Sequence, residues 1–264
     1  MYHSGIGGGG FALIHLPNGS YDFVDFREMA PAAAYEDMYQ GNIEGSIVGG
    51  LAACVPGELR GLQYLNEKYG ALPWKTVFQP AIKEAREGFE VTEDVFKAMQ
   101  LFGEPGSEGD FMSRDPAWSV DFAPNGTRVG VGDIMTRKRY GDTLSTIAEE
   151  GAGAFYTGAI AQSIVDAVRA DNGSMTLEDV RNYAVAVREV AEIDYRGYRV
   201  ASTTAPSSGI VALSVLKVLE NYDDLFAPDN VNLSTHRMNE AIRFGYAQVC
   251  LEFGRDDYTY KSCC

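Results

Sequence analysis

A chain of 264 residues, 45% of them hydrophobic, is long enough for one large domain or two small ones around a sizeable buried core. Its 22 Lys and Arg stand against 37 Asp and Glu, and a net charge of -15 repels nucleic acid and anionic membrane surfaces, so neither is expected as a partner; an anionic small substrate would need a locally placed Arg or Lys. No apolar run approaches the roughly 18–20 residues that span a bilayer, and the first residues lack a basic start followed by an apolar stretch, so the sequence as written predicts neither an anchor nor an export signal.

The chain begins with HSGIGGGGF, His3 to Phe11. Gly5, Gly7 and Gly10 meet the letters of a dinucleotide fingerprint, but that site needs its glycines between a strand and a helix, where free N–H groups meet the pyrophosphate. Here a strand follows and nothing precedes. The glycines are instead expected to permit positive φ angles and close backbone packing where the chain enters a crowded inner strand. Two apolar runs, 11 to 16 and 20 to 27, flank Asn18-Gly19 and predict a paired hairpin. In the second run both parities are apolar (Tyr21 and Phe23, Val24 and Phe26), which predicts burial on two faces.

From Gly57 the period becomes helical, with Leu59, Leu62 and Leu65 before Gly70, then Trp74, Val77, Phe78, Ala81, Ile82 and Ala85 before Gly88. Pro73 suits a first helical turn, whereas Pro80 is expected to kink or split its helix. The polar stretch from Gly103 to Gly132 reads mostly as loop. Helical spacing returns in DTLSTIAEEG and at Ile160, Ile164, Val165 and Val168, and Thr176 to Asp179 has the spacing of a capping box. EIDYRGYRVAS predicts a second hairpin turning at Arg196-Gly197. A helix apolar almost all round follows APSSG, and Met238, Ala241, Ile242 and Val249 mark one face of a last helix. The pattern is that of one mixed α+β domain with a helical middle.

Local chemistry signals are sparse. Cys54, Cys250, Cys263 and Cys264 form no CxxC pair and have no His-rich neighbourhood, so no metal site is expected. His3, His15 and His236 have no nucleophile elbow to serve, and Ser207 and Ser208 are expected to cap a helix. No carboxylate pair is singled out by spacing as an acid and base. Four Asn-x-Ser/Thr sequons, at Asn18, Asn125, Asn172 and Asn232, favour a secretory protein.

The order of longer segments says more. HSGIGGGGF, VDFREMAPAAA (24 to 34), GGLAACVPGELRGL (49 to 62), YGALPWKTVFQPAIKEAREGFEV (69 to 91), GAGAFYTG (151 to 158), APSSGIVAL and HRMNEAIRFGYA (236 to 247) resemble, in sequence and order, the large subunit of gamma-glutamyltransferases, also called gamma-glutamyltranspeptidases or glutathione hydrolases. The resemblance spans residues 3 to about 254. It implies an N-terminal-nucleophile hydrolase, an alpha-beta-beta-alpha sandwich built from a large and a small subunit released by self-cleavage. It further implies that a threonine heading the small subunit attacks the gamma-glutamyl carbonyl of glutathione, and that the acyl group passes to water or an amino acid or peptide acceptor, without cofactor or metal. One substrate-binding residue maps onto this sequence: Arg27 of DFREMAP, which in relatives grips the alpha-carboxylate of the gamma-glutamyl group. A planar guanidinium suits that task.

On this reading residues 1–254 are a large-subunit region truncated at both ends, an incomplete sandwich, and 255–264 a non-family tail. The nucleophilic threonine is not in this chain, which is therefore expected to be inactive alone and to work with a small subunit of the same precursor. The full-length protein is expected to be secretory, extracellular or membrane-associated. Alternatives are a non-catalytic paralogue or binding protein, a related acylase such as a cephalosporin acylase, and a nucleotide-binding module.

Overall fold

The computed structural model describes residues 5–101, 103–107 and 109–253; His3, the expected tail at 255–264, Cys263 and Cys264 lie outside these. β1 (Phe11–His15) and β2 (Tyr21–Asp25) form the expected antiparallel hairpin, in register from Phe11 opposite Asp25 to His15 opposite Tyr21. The turn fits its residues. Gly19 has φ +84°, and the Asn18 side-chain oxygen accepts from the Ser20 N–H at 3.0 Å. α1 (Glu58–Tyr69) and α2 (Trp74–Glu87) follow the leucine and aromatic spacing.

Of the kink or split expected at Pro80, the split does not occur, and α2 runs unbroken through it. Its exposed ring lies on the solvent side, and Phe78, Ile82 and Ala85 are buried on the other, so packing of that face outweighs the lost backbone bond. β3 (Phe89–Glu90) leads through the Thr92 cap into α3 (Glu93–Gln100).

The stretch 103–132 is also more ordered than its composition suggests. It carries α4 (Phe111–Arg114) and α5 (Pro116–Phe122), begun by the side chains of Asp110 and Asp115. β4 (Ile134–Met135) then pairs with β3. There follow α6 (Lys138–Glu150), α7 (Gly153–Tyr156), α8 (Gly158–Ala170) and α9 (Leu177–Arg181), the last with the expected capping box between Thr176 and Asp179. β5 (Ala186–Arg188) joins the other edge of β2. β6 (Val190–Tyr195) and β7 (Tyr198–Thr203) form the second hairpin, turning at Arg196 (φ 48°) and Gly197 (φ 85°), the paired positive φ of a two-residue turn. α10 (Gly209–Leu219) and α11 (Val231–Phe253) complete the order. α10 is less enclosed than its composition predicts, since Ile210 and Val218 are exposed.

These elements divide into two compact units. One comprises, among the described residues, Leu62–Ala167 with Gly5 and Ile6. In it α2 packs on α6, and the Trp74 indole donates to the Ile147 carbonyl at 3.0 Å. A second cluster buries Val91, Met99, Met112, Phe122, Val129 and Met135. Beside it Asp110 and Arg128 form a fully buried pair. Arg128 Nη1 also donates to the Gly103 carbonyl at 2.7 Å, which fixes the loop that composition alone leaves free.

The other unit, comprising among the described residues Gly7–Gly61 and 168–253, holds the sheet β1-β2-β5 with β2 in the middle, where Phe23 and Val24 are inaccessible. The expected burial on two faces is thus present. In the same unit α10 packs on the β6–β7 hairpin and on α11.

At the end of β2, Phe26 occupies a seat that glycines leave open. Its N–H donates to the Gly10 carbonyl at 2.9 Å, continuing the hairpin one step past β1. A Cβ at Gly9 would stand 2.4 Å from the Phe26 carbonyl oxygen, one at Gly57 2.0 Å from the same atom, and one at Gly61 2.1 Å from the Phe26 ring. No side chain fits at any of the three. Gly7 to Gly10 have no positive φ, so close approach and not left-handed backbone is what the glycine run supplies here.

Three outcomes are expected. Gly61→Ala, which drives a methyl into the Phe26 ring, should destabilise the protein by about 1–3 kcal/mol in chemical unfolding, the range for overpacked cores. Asp110→Ala, which leaves the Arg128 charge buried alone, should cost about 3–5 kcal/mol in the same measurement. The Gly106 N–H holds the Asp110 carboxyl below the usual carboxylate range against the effect of burial, aided by Ser113 and Arg128. A lowered folded pKa gives stability that is complete above the unfolded value of about 4 and is lost as pH falls through the folded one. Acid unfolding should therefore begin below about pH 4, with a shallower pH dependence in Asp110→Ala.

Candidate functional site

Arg27 follows Phe26 directly and its side chain is exposed. Its backbone is held from both directions. The Arg27 N–H donates to Asp25 Oδ1 at 3.0 Å, and the Arg27 carbonyl accepts from the Tyr183 hydroxyl at 2.7 Å. The second Asp25 oxygen accepts from Arg188 Nε at 2.6 Å, across the β2–β5 pairing. Asp25 is buried and both of its oxygens are engaged, one by the Arg27 backbone and one by Arg188.

The next residues are tied down as firmly. Met29 and Val55 exchange two backbone bonds, 3.1 and 2.8 Å, which joins the DFREMAP segment to the turn before α1. Cys54, in that turn, is disulfide-bonded. The Ala32 N–H donates to Asp179 Oδ1 at 2.8 Å, while the other Asp179 oxygen closes the capping box of α9 through the Thr176 N–H and hydroxyl. Burial would raise the Asp179 pKa, but the Thr176 hydroxyl, the Ala32 N–H and the Thr176 N–H together hold it below its ordinary value. One carboxylate thus starts a helix and pins the arginine segment at the same time.

The glycine run has a further use. The Gly8 carbonyl accepts from both Gly57 N–H and Glu58 N–H, each at 2.9 Å, at the start of α1. Two of the free N–H groups at the start of α1 are thereby taken up by the chain itself. Of the two described histidines, His15 lies in β1 with its ring 4.8 Å from that of Tyr21, and His236 is exposed on α11. Of the two serines before α10, Ser207 acts in the turn, sharing a hydrogen bond with Thr203 at 2.5 Å and accepting from the Gly209 N–H; Ser208 makes no capping bond.

Chemically, the site is a guanidinium presented at the end of an inner strand on a fixed backbone, in a chain whose overall charge is negative. Such a group suits a carboxylate, which its two parallel N–H donors match in plane. The hydrogen bonds that fix the Arg27 segment come from Tyr183, Arg188 through Asp25, and Asp179, none of which the sequence marks as its neighbours. Tyr183 lies 156 residues away, and nothing local marks it.

The family model described as Gamma-glutamyltranspeptidase matches residues 1–260. The chain is 60% identical over 248 residues to a glutathione hydrolase proenzyme of Arthroderma benhamiae, a match covering 94% of this chain and 42% of the relative. To a glutathione hydrolase of Aspergillus flavus it is 52% identical, over 93% of this chain and 40% of the relative. The chain thus spans about two fifths of the length of these curated relatives. Among solved structures it is similar to Helicobacter pylori gamma-glutamyltranspeptidase, with a TM-score of 0.82 and 33% identity over 92% of this chain and 70% of that one. A cephalosporin acylase from Bacillus halodurans gives a TM-score of 0.74 at 26% identity, over 92% of this chain and 45% of that one. A family model that matches residues 1–260, together with a fold shared with a solved gamma-glutamyltranspeptidase, shows that this chain belongs to the gamma-glutamyltranspeptidase family.

Proposed function

We propose that this chain is the large-subunit portion, residues 1–254, of an enzyme that cleaves the gamma-glutamyl bond of glutathione and related amides. The observation that carries the reading is Arg27, an exposed guanidinium on an immobilised backbone within the family's own motif. Its role is to pair with the alpha-carboxylate of the gamma-glutamyl group and so fix the acyl carbon for attack. The nucleophile is the threonine of a small subunit from the same precursor. Its hydroxyl oxygen bonds to the gamma carbonyl carbon, the amine departs with a proton, and the resulting ester is opened by water or by an amino acid or peptide amine. The chain's likeness to two fungal glutathione hydrolases, at 60% and 52% identity, supports this assignment.

The structural likeness to a cephalosporin acylase favours a second reading, an acylase for glutaryl amides. Gamma-glutamyl and glutaryl groups both carry the carboxylate that Arg27 would hold and differ in the alpha-amino group. Comparing the two amides in the assembled enzyme separates the readings.

We also propose that the full-length protein passes through the secretory pathway. Asn18, Asn125, Asn172 and Asn232 are all exposed, which leaves room for a glycan at each sequon. Among the described residues no helix is long and apolar enough to cross a membrane.

In the assembled enzyme Arg27→Lys should lower kcat/KM for a gamma-glutamyl anilide by about 10- to 100-fold, the loss of one bidentate charge-assisted contact. The 264-residue chain by itself should release no chromophore; release that Arg27→Ala abolishes would contradict the shared-site reading. After expression through a eukaryotic secretory pathway, glycosidase treatment should convert the four sequon asparagines to aspartate in peptide mass spectra. Unmodified asparagine at all four would contradict the secretory assignment.

A further inference from the structure

We propose that Tyr183 is a positioning residue for Arg27, holding the arginine backbone so that its guanidinium meets a substrate carboxylate in one geometry. The inference rests on the reading of Arg27 as the carboxylate receiver. The side chain of an exposed arginine has many rotamers, and a bidentate contact tolerates only small errors in where the Cα stands. Around Arg27 that position is fixed by two bonds of different origin. The N–H is held locally by Asp25 at 3.0 Å, whereas the carbonyl is held by the Tyr183 hydroxyl at 2.7 Å from 156 residues away.

Tyr183 is itself buried, two residues after α9, whose capping carboxylate Asp179 also binds Ala32. The segment running from Arg27 to Ala32 is therefore anchored at both ends by neighbouring parts of one short stretch, Thr176 to Tyr183. Gly57 makes the reach possible: a Cβ there would lie 2.1 Å from the Tyr183 oxygen and 2.0 Å from the Phe26 carbonyl oxygen. The glycine of the VPGELRG segment thus clears the path by which the phenol arrives at Arg27.

Tyr183→Phe removes only the hydroxyl and keeps the ring. The test compares two donors in the assembled enzyme, a gamma-glutamyl anilide with a free alpha-carboxylate and the same anilide with that carboxylate converted to a primary amide. On the free acid, Tyr183→Phe should raise KM by about 3- to 10-fold with kcat nearly unchanged, the effect of one lost hydrogen bond. On the amide, which offers Arg27 no charge, the variant and the parent should agree within about twofold. Equal losses on both donors, or none on either, would overturn the proposal.

Arg27→Lys, measured in parallel, separates the two levels of inference. If it fails to discriminate between the donors, the Arg27 reading falls. If it discriminates and Tyr183→Phe does not, the positioning role alone falls. Should Tyr183→Phe not assemble, 3-fluorotyrosine at position 183 replaces it, because that ring loses its phenolic proton at lower pH. Preference for the free acid should then decline at lower pH than in the parent, and an unchanged profile would overturn the proposal.

Discussion

The structure around Arg27 depends on the space in which Phe26 sits. Three glycines from two separate segments, Gly9, Gly57 and Gly61, each approach the Phe26 carbonyl or ring so closely that a single added carbon would overlap it. This close approach lets the start of α1 stack directly on the end of β2, and lets Gly8 occupy the first N–H groups of α1. Strand, helix and glycine run therefore converge on one residue, and the next residue in the chain is the arginine. Interiors at this density transmit small displacements, so the seat of Phe26 and the aim of Arg27 are one constraint.

Around that seat the polar groups are used more than once. Asp25 links the Arg27 backbone to Arg188 on the neighbouring strand, and Asp179 links a helix start to Ala32. Buried or half-buried carboxylates are costly unless every oxygen finds donors, and here each oxygen does. The other compact unit solves a similar problem at Asp110, whose carboxylate gathers Gly106, Ser113 and Arg128 and so orders a loop of low hydrophobicity. In both units ordered turns rest on carboxylates and not on apolar burial alone.

Much of this was legible in the sequence. Asn18-Gly19 and Arg196-Gly197 announce their hairpins because those turns demand positive φ, and Thr176 with Asp179 announces a helix start. Close packing at HSGIGGGGF follows from glycines abutting an inner strand, although positive φ there does not. The short helices at 111–122 carried a readable mark that composition hid: Asp115-Pro116 is a capping residue followed by a proline suited to a first turn. Pro80 misleads because local propensity yields to the packing of Phe78 and Ile82. The supports of Arg27 could not be read, since Tyr183 meets Arg27, and Arg188 meets Asp25, only through tertiary folding, and no spacing links residues more than 150 positions apart.

In a chain with a net charge of -15, the proposed carboxylate contact falls to a single guanidinium, and the hydrogen bonds that fix its backbone are all within this chain. The most direct measurement is a crystal structure of the assembled enzyme with glutamate bound. The account expects the alpha-carboxylate in a two-point contact with the Arg27 guanidinium, at about 2.7–2.9 Å, with the Tyr183 hydroxyl still on the Arg27 carbonyl. A glutamate whose carboxylate is held by other residues, or an Arg27 backbone released from Tyr183 on binding, would contradict it.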